Sequence, residues 1–370
     1  MKKTLCSLAV LGAFAAGSAQ AQTSVTLYGI IDAGFMSQSN SGTPSAGRTT
    51  GFVDGQILPS IYGMKGTEDL GGGLTAGFNL EGGFNAGNGT HNSPGVYQTQ
   101  IFGREAKITL GGDWGTVGAG MQVDPGLIAS IGTEPRGLTD SFSMLEYWIL
   151  ATLNNNLANG GSLQGGIFDQ NALTYTYAKN GLYFGVEYGV GGVAGSTSSN
   201  TTESIGVSYN YAGFVVSGSY AKANDPNPAV GTSSQIDVFG AGYDFGNNIA
   251  LRGQYGEFKS SYVGGNAASD VKVWGIGVDW KTSVANKINL SYYDGKDDGV
   301  IGGGKTTEIA LLDILALSKH TQVYAQFANI KADGDAGLSA AIGGVYVPSG
   351  LTATAAATTN YFGVGLQHAF

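Results

Sequence analysis

The sequence predicts an all-β fold, a 16-stranded antiparallel transmembrane β-barrel with one long inserted loop, and three observations predict it. The composition comes first: 63 of 370 residues are Gly and only 12% are charged, where about 7% and about 25% are usual in soluble domains. The 19 Tyr and 16 Phe exclude Gly-rich disorder, which is poor in aromatics. Second, the chain after its first two dozen residues breaks into alternating segments of roughly ten residues, the length a tilted strand needs to cross a bilayer. Third, short and long links take turns between those segments, as when tight turns lie on one rim and loops on the other. A secreted β-sandwich or propeller, the soluble alternative, has no reason to alternate so regularly. No run of about 18 apolar residues follows the leader, so no spanning helix is expected.

The start reads MKKTLCSLAVLGAFAAGSAQAQ. Lys2 and Lys3 form a charged head, Leu5 to Ala16 an apolar middle and Ala19-Gln20-Ala21 a small-x-small cleavage site. Residues 1–21 therefore read as a secretory signal peptide cleaved after Ala21, leaving 22–370 as the barrel domain. Cys6, the single cysteine, departs with the leader, so no disulfide or thiol chemistry is expected. Two of the 18 basic residues go too, against 27 acidic ones, and no basic patch suited to nucleic acid remains.

The first strand is SVTLYGIIDAGF (24–35), with Val25, Leu27, Ile31, Ala33 and Phe35 on an apolar face. FVDGQILPSIYGMKG (52–66) follows, then LTAGFNLEGGF (74–84), where Leu74, Ala76, Phe78 and Leu80 oppose Thr75, Asn79 and Glu81. IFGREAKITL (101–110), TVGAGMQ (116–122) and IFDQNALTYTYA (167–178) continue the series. Hairpin turns such as Lys179-Asn180-Gly181 and Ala212-Gly213 join the pairs 172–178/182–189 and 204–211/214–221, and Gly246-Asn247-Asn248 joins 236–245 to 249–258. KVWGIGVDW (272–280) sets Trp274, Ile276, Val278 and Trp280 on one side, aromatics bracketing an aliphatic band as at a membrane interface. Strands at 287–294, 307–318, 321–329 and 360–370 complete the count. Asp313 shares the parity of Leu311 and Leu315, which demands either an interfacial position or a bulge. The longest link, 123–166, exceeds what an unstructured connection normally carries; it is expected to fold inward as a constriction loop, with an external flap as the alternative.

Several blocks carry a resemblance. SVTLYGIIDAGF, GMKGTEDLGGGLTAGFNLE (63–81), GREAKITLGGDWGTVGAGMQ (103–122), LSKHTQVYA (317–325) and GLQHAF (365–370) are similar, in this order, to segments of the trimeric general porins of β-proteobacteria, the Bordetella, Burkholderia and Neisseria type. The resemblance implies a homotrimer in the Gram-negative outer membrane that passes ions and small hydrophilic solutes passively, without a cofactor. It also implies that the terminal Phe370 is the signal read by the assembly machinery. Such porins line their constriction with arginines facing acids, and here Ile61, Met121 and Phe168 or Asp169 stand at three positions where Arg is usual. Arg104 alone stands where expected, so weak selectivity or a cation preference is expected.

Parity assigns the strand residues of the lumen, and the inserted loop adds Asp124, Glu134, Arg136, Asp140, Glu146 and Asp169. Arg104, Lys65, Ile61, Glu81, Asp140, Glu146 and Asp169 are the expected constriction set, and Tyr28, Asp32, Asn79, Glu187, Arg252 and Asp279 the expected pore lining, with Asp124, Glu134, Arg136 and Gln254 as further candidates. Rings of charge in a narrow pore set selectivity because low-dielectric walls focus the field. His91, His320 and His368 fall in a loop, a turn and the last strand, so no triad or metal site is expected from them. The acidic run 294–299 lacks the spaced ligands of a Ca²⁺ loop. Glu105, Lys107 and Thr109 share a face expected at a protomer contact or rim. The functional reading is a general diffusion channel held in outer-membrane lipid, with a substrate-selective channel as the first alternative and a barrel adhesin as the second.

Overall fold

The computed structural model describes residues 24–39, 47–91, 100–149, 167–225, 233–261, 267–299, 304–334 and 358–370. The leader with its cleavage point after Ala21, and residues 150–166 of the long link, lie outside the described residues.

Strand segments β1 (Ser24–Gln38), β2 (Thr49–Asp54), β3 (Ile61–Gly71), β4 (Leu74–Gly83), β5 (Glu105–Gly112), β6 (Gly115–Val123) and β7 (Phe168–Lys179) open the chain. β8 (Leu182–Gly189), β9 (Thr202–Tyr211), β10 (Phe214–Asn224), β11 (Ser233–Asp244) and β12 (Ile249–Ser261) follow. β13 (Ala267–Lys281), β14 (Asn286–Asp297), β15 (Gly304–Ala316), β16 (Thr321–Gly334) and β17 (Thr358–Ala369) finish it. All belong to one antiparallel sheet that closes where β17 meets β1 in the register Asp32↔Gln367. β2 and β3 pair with successive stretches of β1, so they are two arms of one barrel strand and the barrel has 16 strands.

That interruption departs from the single strand expected over 52–66. Pro59 has no N–H to give a ladder, and residues 55–60 leave the sheet as a bend. The Asp32 carboxylate organises it: Oδ2 accepts from the backbone N–H groups of Ile57 and Leu58, each at 3.0 Å, and from Gln367 Nε2 at 3.1 Å. Its other oxygen accepts the Tyr324 hydroxyl. At the seam, Gly29 N donates to Phe370 O (3.1 Å) and Phe370 N to Gly29 O (3.0 Å). A Cβ on Gly29 would come within 2.6 Å of the Ile61 carbonyl oxygen and would also meet the Phe370 ring, so glycine is required at this close approach.

The hairpins close as their turn chemistry requires. Asn180 and Gly181 have φ of 53° and 83°, Ala212 and Gly213 of 49° and 88°, the paired positive values of the turn whose twist matches the strands. Outside, Val25, Leu27, Ile31 and Phe35 are exposed, as are Trp274, Ile276, Val278 and Trp280. Asp313 points the same way with no register shift in either flanking ladder, and accepts a hydrogen bond from Asn286 Nδ2 (2.5 Å) close to the tight-turn rim. It is an interfacial residue; no bulge intervenes.

Inside, the barrel holds a hydrophobic cluster that alternation along the strands does not announce. Val238, Phe258, Val271, Val273, Tyr293, Ala310 and Ala328 point inward and pack with Leu127, Leu138, Phe142, Met144, Tyr147 and Trp148 of the segment after β6. In this half of the barrel part of the inner face is apolar too, meeting protein where the outer face meets lipid.

Candidate functional site

The segment after β6 starts with helix α1 (Pro125–Ser130), whose N-cap Asp124 accepts from Leu127 N at 2.9 Å while Pro125 supplies a preset first-turn φ. A turn of 3₁₀ helix, Ile131–Thr133, follows, and 145–149 form a further helical turn. Hydrogen bonds tie this stretch to inward-facing groups around the barrel: Gly126 N to Ser204 Oγ on β9 (3.2 Å), Thr133 to Ser217 on β10 (2.6 Å), and Gln254 Nε2 on β12 to Ser130 O (2.6 Å). Asn289 Nδ2 on β14 donates to Pro135 O (2.9 Å), and Arg136 Nη2 to Gln326 Oε1 on β16 (2.6 Å). Asp140 N and Ser141 N donate to the carbonyls of Ile57 and Gln56 in the 55–60 bend. The described part of the loop thus lies along the inner wall.

Glu134 is the loop's hub. It is fully buried, its Oε1 accepting from Met144 N (3.1 Å) and the Tyr293 hydroxyl (2.6 Å), its Oε2 from Arg136 N (2.6 Å) and Leu138 N (2.7 Å). Four donors on one carboxylate offset the cost of burying its charge.

The expected lumen residues fall into two groups. Tyr28, Lys65, Asn79, Glu81, Arg104, Arg252 and Asp279 all keep some exposure and point inward. On the β1–β5 wall the Tyr28 hydroxyl bridges Asn79 Oδ1 (2.9 Å) and Glu81 Oε2 (2.8 Å). Arg104 Nε pairs with Glu81 Oε1 at 2.6 Å, its guanidinium 4.6 Å from the centre of the Phe168 ring. Phe168 stands at one of the positions where an arginine was expected, and it serves as the face on which Arg104 lies. Lys107 pairs with Glu105 at 2.6 Å, and Asn79 bonds Glu105 as well, so this pair faces the lumen where a protomer contact or rim was expected. The Lys65 ammonium sits 5.1 Å from the Tyr28 ring centre. Across the barrel, Arg252 pairs with Asp279 at 2.7 Å and donates to Gly132 O of the loop.

The second group points inward yet is covered. Asp32, Ile61, Asp140, Glu146, Asp169 and Glu187 are buried. Asp32 holds the strand interruption, and Asp140 and Glu146 sit inside the loop. Burial pushes the Asp140 carboxyl well above the usual range, with Arg104 acting against it. Burial, and then Glu308, push Glu146 up likewise. Asp169 and Glu187 form a third cluster with Asp124, one oxygen of each lying within 4.8 Å of the others. At that separation and an effective dielectric near 20, each pair of full charges repels by roughly 3–4 kcal/mol. Parity found the direction of Asp32, Ile61 and Glu187 but not their cover, and Glu134 emerged as a hub only from its four donors. In the 294–299 run, Asp294 and Asp298 are ion-paired with Lys305 and Lys296.

A closed, lipid-faced barrel of 16 strands with a loop laid along its inner wall defines a membrane channel. The Gram-negative porin family matches residues 7–335, and the chain belongs to that family. It is an outer-membrane channel for small solutes and not an enzyme. An outer membrane porin protein of Bordetella pertussis is 36% identical over 201 residues, 51% of this chain and 48% of that one, so this match spans about half of the relative. Outer membrane porin protein 32 of Delftia acidovorans is 30% identical over 382 residues, the full length of both chains. An anion-selective porin from Comamonas acidovorans superposes with a TM-score of 0.76 at 22% identity, over 94% of this chain and 100% of that one. A trimer form of OmpT of Vibrio cholerae matches with a TM-score of 0.63 at 13% identity, over 94% and 99%.

Proposed function

We propose that this porin is a general diffusion channel, narrowed by the 123–166 loop and nearly neutral in its ion preference. The observation that carries the reading is charge pairing: Arg104, Lys107 and Arg252 on the lumen wall each lie within 2.7 Å of a carboxylate. A ring of unpaired arginines would focus a positive potential; paired ones cancel it at short range. The anion selectivity of the Comamonas protein therefore does not carry over. The mature chain, cleaved after Ala21, forms a homotrimer in outer-membrane lipid. The outer face of β1–β5, with Gly29, Ala33, Gly66, Ala76 and Ala106 at outward positions, supports close approach of a second protomer there. Phe370 acts as the assembly signal.

The test is the reversal potential across a tenfold KCl gradient. The wild type is expected near zero or weakly cation-preferring, declining with salt as the ring is screened. Glu81→Gln, which removes the negative charge paired with Arg104, is expected to shift it toward anions. Strong anion preference in the wild type would overturn the reading. Conductance that saturates with a sugar or carboxylate at micromolar to millimolar levels would instead establish a substrate-selective channel.

A further inference from the structure

We propose that Asp124, Asp169 and Glu187 bind one hard divalent cation of the Ca²⁺ class at the root of the inserted loop. Asp124 is the first residue after β6, where the loop departs, Asp169 lies at the start of β7 where the loop returns, and Glu187 is on the neighbouring strand β8. One oxygen from each lies within 4.8 Å of the others. Oxygens held at 2.3–2.6 Å around a common Ca²⁺ are at most about 5 Å apart, so the spacing is that of a shared ion.

Groups that are satisfied elsewhere would not need one. Asp124 Oδ1 is spent on Leu127 N and Ser204 Oγ (2.8 Å), but no donor reaches its Oδ2. Glu187 is 3% exposed, and apart from the Asp169 carboxyl and the Thr202 hydroxyl no donor reaches its oxygens. A residue outside the acidic set adds an independent sign. Thr202 is 1% exposed, and its hydroxyl lies against the Glu187 carboxylate with no other partner. Among the described residues neither Asp124 nor Glu187 has a Lys, Arg or His partner. The donor set is all oxygen: a bidentate Glu187, Asp169, Asp124 Oδ2 and the Thr202 hydroxyl. With water from the lumen this reaches the six to eight oxygens Ca²⁺ takes, and it offers no nitrogen or sulfur for a softer metal. The ion ties the departure and return of the loop to the wall, so it fixes the loop at both ends.

The experiment uses the full mature chain refolded in detergent free of bacterial lipid, stripped with EDTA and dialysed against Ca²⁺. Elemental analysis is expected to find one Ca²⁺ per chain, with a thermal transition raised above that of the stripped protein. Glu187→Gln is expected to weaken Ca²⁺ binding by roughly tenfold or more, while Asp298→Asn, in the ion-paired run outside, leaves it unchanged. Wild-type protein that retains no Ca²⁺ at millimolar concentration, with no thermal shift, overturns the proposal and shows that protons neutralise the cluster. Equal binding by Glu187→Gln overturns the site. If that variant fails to fold, the wild-type stoichiometry and shift decide.

Discussion

Glu134→Gln removes the charge from the loop's hub while keeping its size. The carboxylate offers two oxygens, each taking two donors: Met144 N and the Tyr293 hydroxyl on one, Arg136 N and Leu138 N on the other. An amide offers one oxygen, and its NH₂ must face the remaining two donors. Two bonds to a charged acceptor are therefore lost, at about 1.5–3 kcal/mol each, so roughly 3–6 kcal/mol in all. If the amide oxygen keeps Arg136 N and Leu138 N, the NH₂ faces Met144 N and the Tyr293 hydroxyl, and Tyr293 is one of the loop's anchors on β14 beside Asn289. None of the ladder bonds of the wall is touched. The barrel is thus expected to assemble with normal heat-modifiable migration, while single-channel records show higher and noisier conductance and protease cuts faster within 134–149. Tyr293→Phe, which removes one bond, is expected to give a smaller change in the same direction. A folded Glu134→Gln variant with wild-type conductance and wild-type protease resistance would refute the hub.

Glu146 gives the loop a pH response. Its carboxyl is raised by burial and by Glu308, so it favours the docked loop most fully below the ordinary carboxylate value of about 4.3, and that contribution fades as pH rises through the raised value. Conductance noise should therefore grow toward alkaline pH in the wild type and vary less in Glu146→Gln; an equal slope in both would discount the residue. Deleting Phe370 removes both seam bonds to Gly29 and should lower the yield of assembled trimer at unchanged synthesis, measured by pulse-labelling; normal yield would exclude a signalling role. Ile276→Arg places a charge amid the lipid-facing band and should cost about 2–4 kcal/mol, read from urea unfolding in lipid vesicles; a loss below about 0.5 kcal/mol would mean that the position does not face lipid.

The strands and their turns were legible because each side chain's direction follows from a period of two, and because Asn-Gly and Ala-Gly steps mark hairpins. What period alone does not tell is whether an inward side chain meets water or protein. Val271 and Val273 share their strand with outward Trp274 and Ile276, which reads as a blurred alternation until the loop is seen to pack against them. Asp32 has the parity of a pore residue, yet its partners Ile57, Leu58, Tyr324 and Gln367 come from distant segments. Pro59 was the one local sign that the second strand breaks. The Arg104–Glu81 pair was half legible: both residues were placed in the lumen, but their contact depends on where the chain turns before β5.

The seam between Gly29 and Phe370 has a consequence for biogenesis. Both of its bonds belong to Phe370, at the end of the β1–β17 ladder, and their partner lies in the first strand. A nascent chain therefore cannot close the cylinder before β17 is made; until then β1 presents an unpaired edge of the kind that recruits other strands. Hairpins along the way can form early because their contacts are local, but closure joins the two ends of the chain at once. Any carrier of the unclosed chain would have to guard that open edge until β17 arrives, and a product lacking β17 would never cease to need it.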